Sequence, residues 1–196
     1  MLQAADLCYA RIYHRLEVRS PCQLPRRGPA ILVCNHISGL DPVLIQSVCP
    51  RLIVWMMARE YYEQPGLRWI FEQVMAIPID RGRRDMSAMR RAMRAVAEGH
   101  VLGVFPEGKI EPARKLLAFQ TGVASMAIKT AVPVYPAHIE GTQRGKSMLQ
   151  AYLKPQWCSV SFGPRVDLRH FCDSRQDVEM ATVVLENAVR SLMQGI

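Results

Sequence analysis

One histidine in this sequence is followed at a short interval by a carboxylate, in the segment Asn35-His36-Ile37-Ser38-Gly39-Leu40-Asp41. A carboxylate that bonds one imidazole nitrogen fixes the tautomer and supports the charge that forms when the other nitrogen takes a proton. Residues five apart lie about 140° apart on a straight helix, so the two side chains can meet only in a turn. His36 and Asp41 are therefore candidates for a general base and its partner.

Asp41 has a second interpretation. It precedes Pro42 and an apolar segment, and aspartate is a favoured helix cap while proline is favoured at the first helical position. On this interpretation Asp41 only caps a helix and His36 packs in the preceding loop. Spacing alone leaves both interpretations open.

Two further polar segments follow short apolar runs that are typical of strands: Asp80-Arg81-Gly82 and Pro106-Glu107-Gly108. In an open parallel sheet the carboxyl ends of all strands face one edge, and ligands bind in the crevice outside it. If the apolar runs are strands, both segments converge with His36 on one site.

Arg81 beside Gly82 is a candidate anion site, because a guanidinium can bond two oxygens and glycine lets the backbone approach closely. The alternative is a solvated basic turn. For the neighbouring Arg83 and Arg84 we expect the solvated turn.

Short apolar segments alternate with amphipathic ones along the chain. Strands are expected at Ala30–Cys34, Leu52–Met57, Ala76–Ile79, Val101–Phe105, Val132–Tyr135 and Trp157–Phe162. Helices are expected at Pro42–Val48, after Asp85 with an apolar face of Met86, Met89, Met93 and Val96, at Phe119–Thr130, and after Ser174. The alternation predicts a single α/β domain over residues 1–196, with a mainly parallel sheet flanked by helices. An N-terminal amphipathic helix within residues 1–20 would precede a motif-bearing core at residues 30–138.

Spacing disfavours two other kinds of catalytic site. A serine hydrolase usually carries its nucleophile in G-x-S-x-G, and neither Ser38 nor Ser125 has that frame. His36, His100 and His138 lack the spacing of zinc-binding histidines, so we expect no metal.

The composition is that of a basic globular protein, with 49% apolar residues, 21% charged residues and a net charge of +8. The positive surplus favours an anionic partner, either nucleic acid or a phospholipid surface. The six cysteines are scattered without a C-x-x-C pair, and we expect reduced thiols in a cytosolic protein.

No segment has the ~18 to 20 consecutive apolar residues of a spanning helix, and no signal peptide is evident. A lipid substrate would require the protein to bind the membrane surface rather than cross it. The expected contact is the N-terminal stretch, with a helix packed on the domain as the alternative; the stretch contains Leu7, Arg11, Ile12, Arg15 and Arg19.

Four segments together resemble the signature blocks of one family. Asn35–Asp41 resembles the N-H-x-S-x-x-D block of the glycerolipid acyltransferases, which include the lysophosphatidic acid (1-acyl-sn-glycerol-3-phosphate) acyltransferases. Ile77–Gly82 resembles the second block, Phe105–Gly108 the third and Val132–Pro136 the fourth. The order and intervals fit.

The resemblance implies an O-acyltransferase in which His36 deprotonates the acceptor hydroxyl and Asp41 holds the imidazole. It implies that Arg81 binds the acceptor phosphate, that Glu107 and Gly108 shape that pocket, and that Pro133 lies near the acyl donor. The full set of expected substrate-binding residues is Asn35, Arg81, Gly82, Glu107, Gly108, Lys109 and Pro133. The donor would be acyl-CoA or acyl carrier protein, with no metal or redox cofactor.

Two departures from the family pattern bear on the acceptor. Lys109-Ile110-Glu111 follows Gly108 where the family commonly has T-R-S, and Gln120 stands where members often carry lysine. The favoured acceptor is lysophosphatidic acid, in phospholipid biosynthesis on the cytoplasmic face of the membrane. The alternatives are another lysolipid, such as a lyso-aminolipid or a lysophospholipid with a head group, and a basic nucleic-acid-binding domain. A nucleic-acid-binding domain would give His36 and Asp41 no function, so we expect no nucleic acid partner.

Overall fold

A computed structural model describes residues 7–81, 85–111, 115–142 and 148–194. Within them the strands are β1 (Glu17–Val18), β2 (Ala30–Cys34), β3 (Ile53–Ala58), β4 (Ile77–Ile79), β5 (Val101–Val104), β6 (Val134–Glu140) and β7 (Ser159–Phe162). The α-helices are α1 (Asp41–Val48), α2 (Arg59–Tyr62), α3 (Arg68–Gln73), α4 (Met86–Ala97), α5 (Gly122–Thr130), α6 (Met148–Leu153) and α7 (Arg175–Gln194). A π-helical turn, Tyr9–Tyr13, precedes β1.

The strands form one seven-stranded sheet in the order β1-β7-β6-β2-β5-β3-β4. All neighbours are parallel except β6 and β7. β2 lies in the middle, where Ile31 is level with Leu102 of β5 on one side and with Val134 of β6 on the other. The predicted α/β domain with a mainly parallel sheet is confirmed.

The central strand is buried on both faces, as parallel strands usually are. Leu32 packs in one core cluster with α1, whereas Ile31 and Val33 pack in a second cluster with α4, α5 and α7. Successive side chains of a strand point to opposite faces, so one short apolar run supplies both layers. Burying each such side chain contributes about 1.5–3 kcal/mol.

Helix α4 begins as predicted, and three of the four residues of its expected apolar face, Met89, Met93 and Val96, pack against the core. The Asp85 carboxylate accepts the backbone N–H of Ala88 at 2.9 Å and caps the helix. The buried stripe is Ala88, Ala92 and Val96, whereas Met86, which was expected in it, is 57% exposed. Met86 precedes Ala88 by two residues, about 200° around the helix, and therefore faces away from the sheet.

The predicted N-terminal helix is too long. Residues 1–6 lie outside the described part, the helical turn ends at Tyr13, and Arg15 has a left-handed φ of +45°. Glu17 and Val18 then pair with Ser159 and Val160 as the edge strand. Pairing with β1 gives hydrogen-bond partners to backbone N–H and C=O groups of β7. These groups would lie unpaired at the sheet edge if the N-terminal helix continued.

The six cysteines are free thiols in the structure, and the Sγ atoms of Cys22 and Cys49 lie 3.4 Å apart. Among the described helices, none combines the length and apolar character that a membrane span requires.

Candidate active site

The motif segments follow β2, β5 and β4, and parallel pairing places the carboxyl ends of these strands at one edge of the sheet, which we call the carboxyl edge. β5 is the immediate neighbour of β2, whereas β4 is three positions away, at the end of the sheet. At the usual strand spacing, β4 lies about 14 Å from β2. The convergence expected from sequence is therefore close for two segments and wider for the third.

His36 and Asp41 meet in the turn between β2 and α1. The imidazole Nδ1 lies 2.9 Å from Asp41 Oδ2. The same oxygen accepts the backbone N–H groups of Ile37 and Ser38, at 2.8 and 2.9 Å. The Asp41 side chain thus bonds residues that precede it, and the N-cap of α1 is Leu40, which makes no side-chain cap bond. Asp41 does not act as a simple helix cap.

The second oxygen of Asp41 is held by a residue that follows β6, the neighbouring strand of β2. The buried Thr142 hydroxyl donates to Oδ1 at 2.5 Å. Sequence reasoning missed Thr142 because it expected β6 to end at Tyr135, whereas the strand continues to Glu140. With the end of β6 predicted correctly, Thr142 would have been a candidate site residue, because it is a polar residue that follows the end of a strand.

The His36 imidazole lies flat on an aromatic stack. Its centroid is 4.0 Å from that of Phe105, with 12° between the planes, and Phe105 in turn stacks on Trp55 at 4.8 Å. Gly103 permits this, because a Cβ there would overlap the Trp55 ring. An aromatic face attracts a cation, so the stack favours the imidazolium that forms during base catalysis.

One ring nitrogen of His36 remains available. Nδ1–H donates to Asp41, so Nε2 carries the lone pair. Nε2 has no hydrogen-bond partner within the described ranges, and the side chain is 10% exposed. The ring can therefore accept a proton from a substrate that enters from the carboxyl edge.

Glu107 holds the turn of His36 rather than facing an open pocket. Its Oε1 accepts the His36 backbone N–H at 2.9 Å, and its Oε2 accepts the N–H of Leu117 at 3.0 Å. Burial raises the pKa of the Glu107 carboxyl, and the two N–H donors act in the opposite direction. Glu107 thus ties the end of β2 to the segment that follows β5.

Asn35 ties the same turn to β6. Its Nδ2 donates to the carbonyl of Ile139 at 2.9 Å, and its Oδ1 accepts the N–H of Ile139 at 2.8 Å. The Asn35 amide thus bonds both backbone groups of Ile139, as a neighbouring strand would. These two bonds fix Asn35, and with it the start of the turn that carries His36. Substrate binding by Asn35 stays a prediction.

Among the residues expected to hold phosphate, Arg81 and Lys109 are exposed at the carboxyl edge. The Arg81 guanidinium lies 3.5 Å from Glu60 and 5.8 Å from the Tyr61 ring centroid. Gly82 lies outside the described residues.

Gly108 turns the chain after Glu107 with a left-handed φ of +72°, and a Cβ there would overlap the Gln120 amide. The left-handed backbone conformation favours glycine here, whereas the end of the flexible Gln120 side chain can move aside. This turn carries Lys109 away from β5.

Pro133 is not brought together with His36. It immediately precedes β6, and its carbonyl accepts the N–H of Ile31 at 3.0 Å. Ala137, four residues later, is level with Cys34 at the end of β2. Because β6 runs parallel to β2, Pro133 lies near the amino edge, about 13 Å along the strand from that level. A donor-binding role for Pro133 stays a prediction that this placement does not support.

In the part of the chain that the structure describes, no three His, Cys, Asp or Glu side chains form a metal-binding group. The described residues supply a base held by a carboxylate, with the exposed Arg81 and Lys109 at the same edge of the sheet.

A profile of the family described as Acyltransferase matches residues 15–140, which include the turn of His36 and the segments after β4 and β5. The chain belongs to this acyltransferase family. The predicted family and enzyme class are thereby confirmed.

Individual acyltransferases resemble the chain over most of its length. It is 22% identical over 136 residues to a 1-acyl-sn-glycerol-3-phosphate acyltransferase of Bacillus subtilis, covering 69% of this chain and 67% of that protein. It is 34% identical over 157 residues to an N-acylphosphatidylethanolamine synthase of Arabidopsis thaliana, covering 72% of this chain and 54% of that protein. The chain thus spans only about half the length of the plant relative.

The fold also matches a solved acyltransferase. The crystal structure of the 1-acyl-sn-glycerophosphate (LPA) acyltransferase PlsC from Thermotoga maritima superposes with a TM-score of 0.75 at 24% identity, covering 98% of this chain and 80% of that one. This similarity supports the α/β fold described above.

Replacing the base tests its role directly. His36→Ala should lower the rate of acyl transfer at least ~100-fold, because general-base catalysis typically contributes ~10²- to 10⁴-fold. Asp41→Asn should also be severely impaired, since an amide cannot accept all the donors that the carboxylate accepts. Rates are measured as thiol release from an acyl thioester, with the exposed His170→Ala as control and circular dichroism to verify folding. Normal rates for a folded His36→Ala protein would contradict the assignment.

Thr142 should matter through Asp41. Thr142→Val keeps the shape but removes a hydrogen bond to a charged group, worth about 1.5–3 kcal/mol, so kcat should fall ~10- to 100-fold with little change in KM. Thr142→Ser retains the hydroxyl and should stay near the unmodified rate. A folded valine variant with normal kcat would show that Thr142 does not support the base.

Proposed function

We propose that this acyltransferase moves a fatty acyl group from acyl-CoA or acyl carrier protein to the free hydroxyl of lysophosphatidic acid. The observation that carries the proposal is the buried His36–Asp41 pair, with Nε2 available at the carboxyl edge. A 1-acyl-sn-glycerol-3-phosphate acyltransferase of Bacillus subtilis matches 69% of the chain.

The proposed mechanism is direct attack without an acyl-enzyme. His36 Nε2 takes the hydroxyl proton as the acceptor oxygen attacks the thioester carbonyl, and the proton then passes to the leaving thiolate. Asp41 and the Phe105 ring stabilise the imidazolium in between. A thioester is already activated, so a base and close placement of the two substrates are the main requirements.

For the acceptor phosphate we propose Arg81 and Lys109. The ion pair of Arg81 with Glu60 is long, at 3.5 Å, and both side chains are exposed, so a phosphate can replace it at little cost. Lys109 is exposed and follows β5, the neighbour of β2. In strand order Lys109 is therefore nearer to His36 than Arg81 is.

A second candidate acceptor is a phospholipid with a head group or a free amine. The third block of the motifs departs from the family pattern at Lys109-Ile110. The relative that is 34% identical is named an N-acylphosphatidylethanolamine synthase, so its product carries an acyl group on a nitrogen. Both observations concern acceptor choice and leave the base chemistry unchanged.

We also propose that the reaction takes place on the cytoplasmic face of a membrane with the protein bound peripherally. The acceptor is a membrane lipid, and the net charge of +8 favours an anionic surface.

One assay separates the acceptors. Purified protein is incubated with labelled acyl-CoA and a panel of lysolipids and aminolipids, and the products are resolved by chromatography. Lysophosphatidic acid is expected to give the highest kcat/KM. Labelling of an aminolipid instead would favour the second candidate, and no transfer to any lipid would refute both.

Removing the Arg81 guanidinium should mainly affect the acceptor. Arg81→Ala is expected to raise the KM for lysophosphatidic acid ~10-fold or more, because a charge-assisted bond to phosphate is lost, and to leave the KM for the thioester nearly unchanged. Arg81→Lys should rescue only partly because it lacks the planar fork. Arg68→Ala, another exposed arginine, is the control. Equal damage to both substrates would indicate a structural role.

Lys109 should share this task. Lys109→Ala is expected to raise the acceptor KM several-fold, with the exposed Lys129→Ala as the matched control. Both are measured with lysophosphatidic acid and with a lysophospholipid that has a head group. If Lys109→Ala has no effect on either, other residues complete the phosphate site.

A further inference from the structure

Two segments that are far apart in the sequence expose apolar side chains next to each other. Ile12 is 76% and Tyr13 40% exposed, and Leu153 and Trp157 are 63% and 67% exposed. The Tyr13 hydroxyl donates to the carbonyl of Leu153 at 2.5 Å. The Arg15 guanidinium lies 4.8 Å from the Trp157 ring centroid. These contacts join the two segments into one surface.

The charges on this surface are all positive. Arg11, Arg15 and Lys154 are exposed, and none has an ion-pair partner among residues 7–81, 85–111, 115–142 and 148–194. Residues 7–16 and 148–158 contain neither Asp nor Glu. Exposed apolar and aromatic side chains beside unpaired cations fit the boundary of an anionic bilayer, where rings enter the interface and cations meet lipid phosphates.

This surface lies at the same edge of the sheet as His36. Ser159, the first residue of β7, is level with Glu140 at the carboxyl end of β6. Glu17, the first residue of β1, is in turn level with Ser159. The residues that precede β1 and β7 are therefore at the carboxyl edge.

Hydrogen bonds connect the surface to the catalytic turn. The Tyr9 hydroxyl donates to the carbonyl of Tyr152 at 2.6 Å, and the Tyr152 hydroxyl donates to the carbonyl of Gly39 at 3.0 Å. Gly39 stands between His36 and Asp41. The exposed surface and the base thus belong to one connected structure.

We propose that Arg11, Ile12, Tyr13, Arg15, Leu153, Lys154 and Trp157 form a docking face that binds an anionic phospholipid bilayer and presents the carboxyl edge to lipid acceptors. This inference rests on the proposed function, because it assumes that the acceptor is drawn from a membrane. The sequence predicts that the N-terminal stretch alone contacts the membrane, whereas the docking face combines that stretch with a second segment before β7. Each cation near such a surface strengthens binding about fivefold, so three together contribute about 100-fold.

Point substitutions test the docking face better than deletion, because Ala10, His14 and Leu16 in the same segment are buried. One variant removes the cations, as Arg11→Gln/Arg15→Gln/Lys154→Gln, and another the apolar contacts, as Ile12→Ser/Leu153→Ser. The matched controls are Arg90→Gln/Arg94→Gln/Arg175→Gln, on exposed arginines of α4 and α7, and Met180→Ser/Val183→Ser, on exposed apolar residues of α7.

Binding is measured by sedimentation with vesicles of phosphatidylcholine, alone or with phosphatidylglycerol. The unmodified protein should bind the anionic vesicles and be released by high salt, and should bind neutral vesicles weakly. The cation variant should bind about 100-fold more weakly, the apolar variant should lose binding, and both controls should bind normally. Unchanged binding of the two docking-face variants, or equal loss in the controls, would overturn the proposal.

Activity provides a second readout. Both docking-face variants should lose activity on lysophosphatidic acid held in anionic vesicles but keep kcat/KM on a soluble short-chain lysophosphatidic acid. Equal loss on the soluble acceptor would indicate structural damage and overturn the proposal. So would light scattering that shows a dimer which the variants dissociate, or salt-sensitive DNA binding without vesicle binding. If the unmodified protein binds vesicles through this face yet acylates no lysolipid, the proposed function fails and the docking face stands.

Discussion

A carboxylate removed from water must have its oxygens hydrogen-bonded, and Asp41, which is 0% exposed, meets this requirement with four donors. One donor is the His36 ring, two are backbone groups of the turn, and the fourth is the Thr142 hydroxyl beyond β6. The burial of a single charge therefore fixes the imidazole, the shape of the turn and the position of the chain after β6. Loss of any one donor leaves the others bound to a poorly solvated anion.

The turn is also fixed to the strands on both sides of β2. Asn35 bonds Ile139 of β6 through two hydrogen bonds, and Glu107, after β5, accepts the backbone N–H of His36. The ring itself lies on Phe105. Orientation of a general base within a few tenths of an ångström strongly affects the rate, and here the sheet register provides it. The site is thus organised by backbone pairing as much as by its own side chains.

The parts of this arrangement that follow from local pattern could be predicted from the sequence. β2 has the predicted bounds because all five of its side chains are apolar and buried. The pairing of His36 with Asp41 required only a strand followed by a turn. Thr142 was missed because the end of β6 was placed too early, and no local pattern pairs it with Asp41, which is 101 residues away. The edge strand at Glu17 was missed because pairing across the sheet, which local propensity does not encode, decides its conformation.

The antiparallel pairing of β6 and β7 also affects how this protein and its relatives can differ. The connection between these strands leaves and re-enters the sheet at the carboxyl edge, whereas the crossovers between parallel strands must return to the amino edge. Residues can therefore be added to or removed from this connection without changing the register of any strand. Among the described residues of the connection, Thr142 at its start and Tyr152 near its end are held against the catalytic turn. Length variation between these two anchors offers a way to reshape the entrance for a different lipid while the base stays in place.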